Sequence, residues 1–96
     1  MVKEVAIFTV LDGKHEEFEK AVGEAGHLLE TSEGYISHSL NRGIEHENQY
    51  LLLVEWDSKE AHIKNFVETE KYNEWRGKIG HLIDGEATKV AHYKHV

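Results

Sequence analysis

The sequence predicts an α+β fold of order β-α-β-β-α-β, in which a four-stranded antiparallel sheet carries two helices on one face. Three observations lead there. Four stretches are rich in β-branched and aromatic residues or alternate apolar with polar, the mark of strands. Two stretches between them change to apolar residues at three- and four-residue spacing, the mark of helices. A length of 96 residues leaves room for a single core, so the expectation is one domain over residues 1–96 with no linker.

Residues 2–11 form the first expected strand, and Asp12-Gly13 turns the chain. From residue 15 to 31, Phe18, Ala21, Val22, Ala25, Leu28 and Leu29 mark one buried stripe, with Glu16, Glu17, Glu19, Lys20 and Glu24 opposite it. Gly23 and Gly26 cost this helix up to about 1 kcal/mol each relative to alanine, and small residues there let it approach a sheet closely. After Glu33-Gly34, residues 35–42 alternate as a second strand, with Ile36, His38 and Leu40 on one side. Residues 43–48 make a polar hairpin loop and residues 49–56 a third strand. Asp57 and Ser58 are both good N-caps, and Asp57 with Glu60 has capping-box spacing. The helical region beyond carries Ala61, His62, Asn65 and Phe66 on one side, breaks near Glu68-Thr69, and resumes with Tyr72, Trp75, Ile79, Leu82 and Ile83. Asp84-Gly85 ends it, and residues 88–96 are the last strand.

Two helices cover only one face of such a sheet, so strands facing water on the other side should alternate. The third does not: Tyr50, Leu51, Leu52, Leu53 and Val54 run unbroken. In the first, Val5, Ala6, Ile7, Phe8 and Val10 point both ways around Thr9. Each aliphatic side chain left in water forgoes roughly 1.5–3 kcal/mol. A second copy packed through the helix-free faces supplies the cover, giving a two-fold barrel of eight strands. A monomer with an apolar open face is the alternative.

Eleven basic against eighteen acidic residues leave a net charge of −7, which disfavours nucleic acid and anionic membranes as partners. No cysteine is present, so thiol nucleophiles and thiolate metal sites are excluded. No apolar run approaches the ~20 residues of a membrane span, and the start of the chain has no targeting pattern, which makes the cytoplasm the expected compartment. Eight histidines are the chemical excess. None is spaced as His-x-x-x-His, and His92 and His95 point to opposite faces of a strand, so no metal site is expected.

The segments DGKHEEFEKAV (12–22), SEGYISHSL (32–40) and YLLLVEWDSKEAH (50–62) resemble the antibiotic-biosynthesis monooxygenase superfamily of dimeric α+β barrels, whose subunits are ferredoxin-like. Strand three ending in Glu-Trp, the Ser-x-Glu-Ala helix start and Asn65-Phe66 carry the resemblance most specifically. Haem-degrading members have an asparagine on strand one, a tryptophan midway along helix two and a ligating histidine further on. This chain has Ala6 or Ile7, Asn65 or Phe66, and Glu74 or Trp75 there, so none matches. For the cofactor-independent quinone-forming members, Trp56 matches a tryptophan ending strand three and Arg76 a helix-two arginine, while His62 replaces their pocket tyrosine. This resemblance implies a homodimer that oxygenates a small phenolic or quinol-like aromatic with dioxygen, needing no cofactor because the substrate anion itself reduces dioxygen.

The residues put forward as catalytic are His62, Arg76 and His38, with Trp56, Phe66, Tyr72 and Asn65 binding substrate. A neutral histidine suits proton removal and an arginine suits holding an oxyanion. Each also has a plain structural role: His62 and His38 as hydrogen-bonded core rings, Trp56, Phe66, Tyr72 and Trp75 as packing, Arg76 as half of a surface ion pair. His81 and His92 are expected near one another if the last strand packs by helix two, and His15, His27, His46 and His95 are expected in solvent. A non-enzymatic barrel binding a hydrophobic metabolite, and haem binding through His62 or His81, are the competing functions.

Overall fold

Strand β1 (Val2–Thr9) and strand β3 (Gln49–Trp56) form the middle of the sheet because they carry the longest apolar runs. Strand β2 (Tyr35–Arg42) pairs with β3 and strand β4 (Lys89–Tyr93) with β1, giving the order β2-β3-β1-β4, antiparallel throughout. A computed structural model describes all residues 1–96. Helix α1 (His15–Glu30), helix α2 (Lys59–His62), a π-helical turn (Ile63–Val67) and helix α3 (Glu70–Ile79) complete the predicted order.

One face of the sheet carries the core. Ala6 and Phe8 from β1, and Val10 just beyond its end, lie with Tyr50, Leu52, Val54 and Trp56 from β3, and all are buried. Phe18, Val22, Ala25, Leu28 and Leu29 of α1 close over them, with Phe18 edge-on to Phe8 at 5.7 Å. Gly26 is buried, and a Cβ there would make an ordinary van der Waals contact with the His38 ring at 3.4 Å. Gly23 is exposed and makes no close approach.

Several local expectations change. The β2–β3 register shifts between Tyr35 and Ser37, so Tyr35, not Ile36, shares a face with His38, and Ile36 is 44% exposed. Ser58 alone caps α2, accepting the Ala61 N–H at 3.1 Å. Strand β4 stops at Tyr93 because its partner there is Lys3, one residue from the start of β1. His15 is only partly exposed, with Nε2 2.9 Å from Asn48 Oδ1 and Nδ1 3.2 Å from the Tyr50 hydroxyl.

Gly34 needs its glycine. Its φ is +92°, and a Cβ would lie 2.6 Å from that of Ala61. Its carbonyl accepts the Asp57 N–H at 2.8 Å, tying the entry of β2 to the end of β3 and the start of α2.

Candidate active site

Period two along β1 puts Glu4 on the face that also carries Ala6 and Phe8, so a carboxyl is buried beneath the second helical region. Three other elements bring it neighbours. Trp56 at the end of β3 donates its indole N–H to Glu4 Oε1 at 3.0 Å. His62 at the end of α2 sets Nε2 3.2 Å from the same oxygen. His92 on β4, the cross-strand partner of Glu4, sets Nε2 2.8 Å from His62 Nδ1.

Packing fixes this cluster. The His62 ring stacks on Trp56 at 5.3 Å and on Phe66 at 6.2 Å. Phe66 reaches that place from the π-helical turn, which the Glu68 N–H closes on the Ile63 carbonyl at 2.9 Å. Such a turn inserts one extra residue into the helix, which breaks its stripe. The expected interruption near Glu68-Thr69 therefore has a backbone cause.

Burial pushes the Glu4 carboxyl up from 4.5 to about 7, against the Trp56 hydrogen bond, which lowers it. Burial, and then the neighbouring His92, pull His62 from 6.5 down to about 4. His92 is lowered too, by burial and then by Lys59. Glu4 and His62 thus stand at ion-pair distance while the imidazole is uncharged at neutral pH. Desolvation outweighs the attraction that would charge both. An ionised Glu4 favours the proton on His62 Nε2, leaving Nδ1 to accept from His92 Nε2–H.

A cavity of about 540 Å³ opens between this cluster, the π-helical turn and α3, within the usual ~300–1,000 Å³ of small-molecule sites. Glu4, His62 and His92 form one part of its wall, and Phe8, Leu52, Phe66, Trp75 and Ile79 make much of the rest apolar. Arg76 and Tyr72 add polar groups from α3, the exposed guanidinium lying 5.9 Å from the centre of the Tyr72 ring.

Of the residues singled out in the sequence, His62, Arg76, Phe66 and Tyr72 line this cavity. The placement of the other three is corrected. Trp56 is fully buried behind Glu4 and forms no wall. His38 lies on the α1 side, its Nδ1 2.6 Å from the Tyr35 hydroxyl. Asn65 points away and donates to the Glu33 carbonyl at 2.8 Å. His92 pairs with His62 rather than His81, which is exposed and outside the cavity. No three His, Asp or Glu side chains gather around one point as metal ligands do. Glu4 was not singled out in the sequence, although alternation from Ala6 and Phe8 back to Glu4 was the available signal, and His92 was expected beside helix two but not as a site residue.

The family model for antibiotic biosynthesis monooxygenase matches residues 1–78. The uncharacterized protein YczJ of Bacillus subtilis (strain 168) is 35% identical over 96 residues, all of both chains. A Bordetella bronchiseptica protein named after the antibiotic biosynthesis monooxygenases superposes with a TM-score of 0.94 at 29% identity, over 99% of this chain and 96% of its own. SnoaB of Streptomyces nogalater, a cofactor-independent oxygenase, shares the fold at a TM-score of 0.84 and 19% identity, over 99% of this chain and 92% of its own.

Proposed function

Because the chain belongs to the antibiotic biosynthesis monooxygenase family, we propose that it is a cofactor-independent monooxygenase that oxidises a small phenolic or quinol-like aromatic with dioxygen. One observation carries this reading. An apolar cavity of ligand size ends on a buried carboxyl beside two uncharged imidazoles, with an arginine on another wall. Flat aromatic rings suit the apolar walls. Removal of a proton from the ring system leaves an anion electron-rich enough to reduce dioxygen, and Arg76 holds its oxygen. For an anthrone the balance is CH2 plus O2 giving C=O plus water, with the substrate supplying all the electrons.

The test is oxygen uptake with a panel of anthrones and hydroquinones. Uptake is expected with at least one, and Arg76→Ala, at an exposed position, should lower kcat/KM about 100-fold without loss of fold. An unchanged kcat/KM removes the role of Arg76, and no uptake across the panel removes the function. Thermal stabilisation by the same compounds without uptake would instead indicate a barrel that only binds a hydrophobic metabolite.

We also propose that the protein is a homodimer. On the helix-free face Val5 pairs across strands with Leu53 and Ile7 with Leu51, flanked by Ala91 and by Tyr93, which is 57% exposed. No helix of this chain covers that block. Sedimentation equilibrium should return twice the 11.1 kDa subunit mass at micromolar concentration; the subunit mass alone would contradict the pairing.

A further inference from the structure

The buried cluster contains a group that the family resemblance does not assign. We infer that Glu4 is the general base of this site, taking the proton from an enolisable aromatic ketone or phenol on its Oε2 oxygen, with Trp56 and His62 as the residues that aim it. This deepens the monooxygenase reading and rests on it for the class of substrate.

Both close neighbours of the carboxyl fall on one oxygen: Trp56 Nε1 at 3.0 Å and His62 Nε2 at 3.2 Å from Oε1. No fully buried polar side-chain atom in the molecule lacks a partner. Oε2 has none, so it is the oxygen left open to the cavity that Glu4 lines. Behind the carboxyl Trp56 is fully buried. His62 is the worse base, since each of its ring nitrogens already has a protein neighbour, Glu4 on one side and His92 on the other. Proton affinity agrees with geometry. A carboxyl held at about 7 is matched to neutral pH, whereas an imidazole at about 4 binds a proton too weakly.

In the step itself, the substrate C–H or O–H bond breaks, its electron pair stays on the ring system, and an O–H bond forms at Glu4 Oε2. No oxidant takes part. The charged and titratable groups facing Glu4 are His62 from α2, His92 from β4, and Arg76 and Tyr72 across the cavity from α3, with Lys59 acting on His92. Of these, Arg76 favours the substrate anion once formed.

Two measurements test the assignment. Carboxyl 13C NMR of the substrate-free protein should show one glutamate titrating near pH 7 and lost in Glu4→Gln; a midpoint near the ordinary ~4.3 overturns the proposal. Under nitrogen in deuterated buffer, the protein should accelerate deuterium uptake at the acidic carbon of anthrone, read by mass spectrometry, and Glu4→Gln should slow it about 100-fold or more. His62→Gln, which removes one of the two groups aiming the carboxyl, should slow exchange less than Glu4→Gln does and move its pH midpoint. No acceleration by the wild type, or exchange retained in Glu4→Gln and lost in His62→Gln, overturns the proposal. Exchange without oxygen uptake in air would keep Glu4 as the base while removing the oxygenase reading; uptake undiminished in Glu4→Gln would do the reverse.

Discussion

Replacing Trp56 by alanine is expected to remove about 3–5 kcal/mol of folding stability, a large part of the ~5–15 kcal/mol that a small domain has. The indole is fully buried at the junction of three elements. It meets Tyr35 edge-on at 6.1 Å, stacks on His62 at 5.3 Å and lies 6.2 Å from Phe66. Deleting it leaves a cavity and also takes from Glu4 its only indole donor. Trp56→Phe separates the two effects. Phenylalanine keeps much of the bulk but not the N–H, so it should cost less stability while the Glu4 midpoint rises further above about 7, because the lost hydrogen bond was lowering it. Urea unfolding measures the first quantity and carboxyl NMR the second. A Trp56→Ala loss below about 1 kcal/mol would contradict the packing described.

The second large effect is a crossing of pH-stability curves. Glu4 is raised in the folded state, so its contribution is fully present below 4.5 and is lost as pH rises towards about 7, where the unfolded chain ionises first. His62 is lowered, so its contribution is present above 6.5 and is lost as pH falls towards about 4, where the unfolded chain protonates first. Each amounts to about 3 kcal/mol at most, from 1.36 kcal/mol for each pH unit. Between pH 4.5 and 6.5 the two slopes oppose and largely cancel in the wild type. Glu4→Gln leaves the histidine slope alone, so relative to wild type it should lose stability from pH 7 to 5. His62→Gln leaves the carboxyl slope opposed only by that of His92, and should gain over the same range. Urea midpoints at pH 5, 6 and 7 check both, and variant curves parallel to the wild type would contradict the buried cluster.

The order of elements was legible because period two and period 3.6 alternate cleanly along the chain, as in the stripe from Phe18 to Leu29 against the run from Tyr50 to Val54. The resemblance pointed to the same fold and to His62 and Arg76, and helical spacing to Phe66 and Tyr72; the cavity brings these four together. What stayed hidden depended on local geometry. A one-residue bulge after Tyr35 moved Ile36 off the face it shares by simple alternation with His38. The π-helical turn changed the direction of everything after His62, which carries Asn65 away to Glu33. Glu4 was obscured by its own type, since a glutamate near a strand end reads as solvated unless the strand's period is followed through it. His92 gained its partner from the β1–β4 register, a long-range pairing that no local pattern encodes.

The central claim is that this small apolar chamber lets an aromatic substrate reduce dioxygen by itself, one oxygen atom passing to carbon. Incubation of the purified protein with anthrone under 18O2 measures that transfer directly. One labelled oxygen in the anthraquinone, formed faster than in buffer and more slowly in Arg76→Ala, is the predicted result. An anthraquinone without label, its new oxygen taken from water, or no product beyond the uncatalysed background, would contradict it.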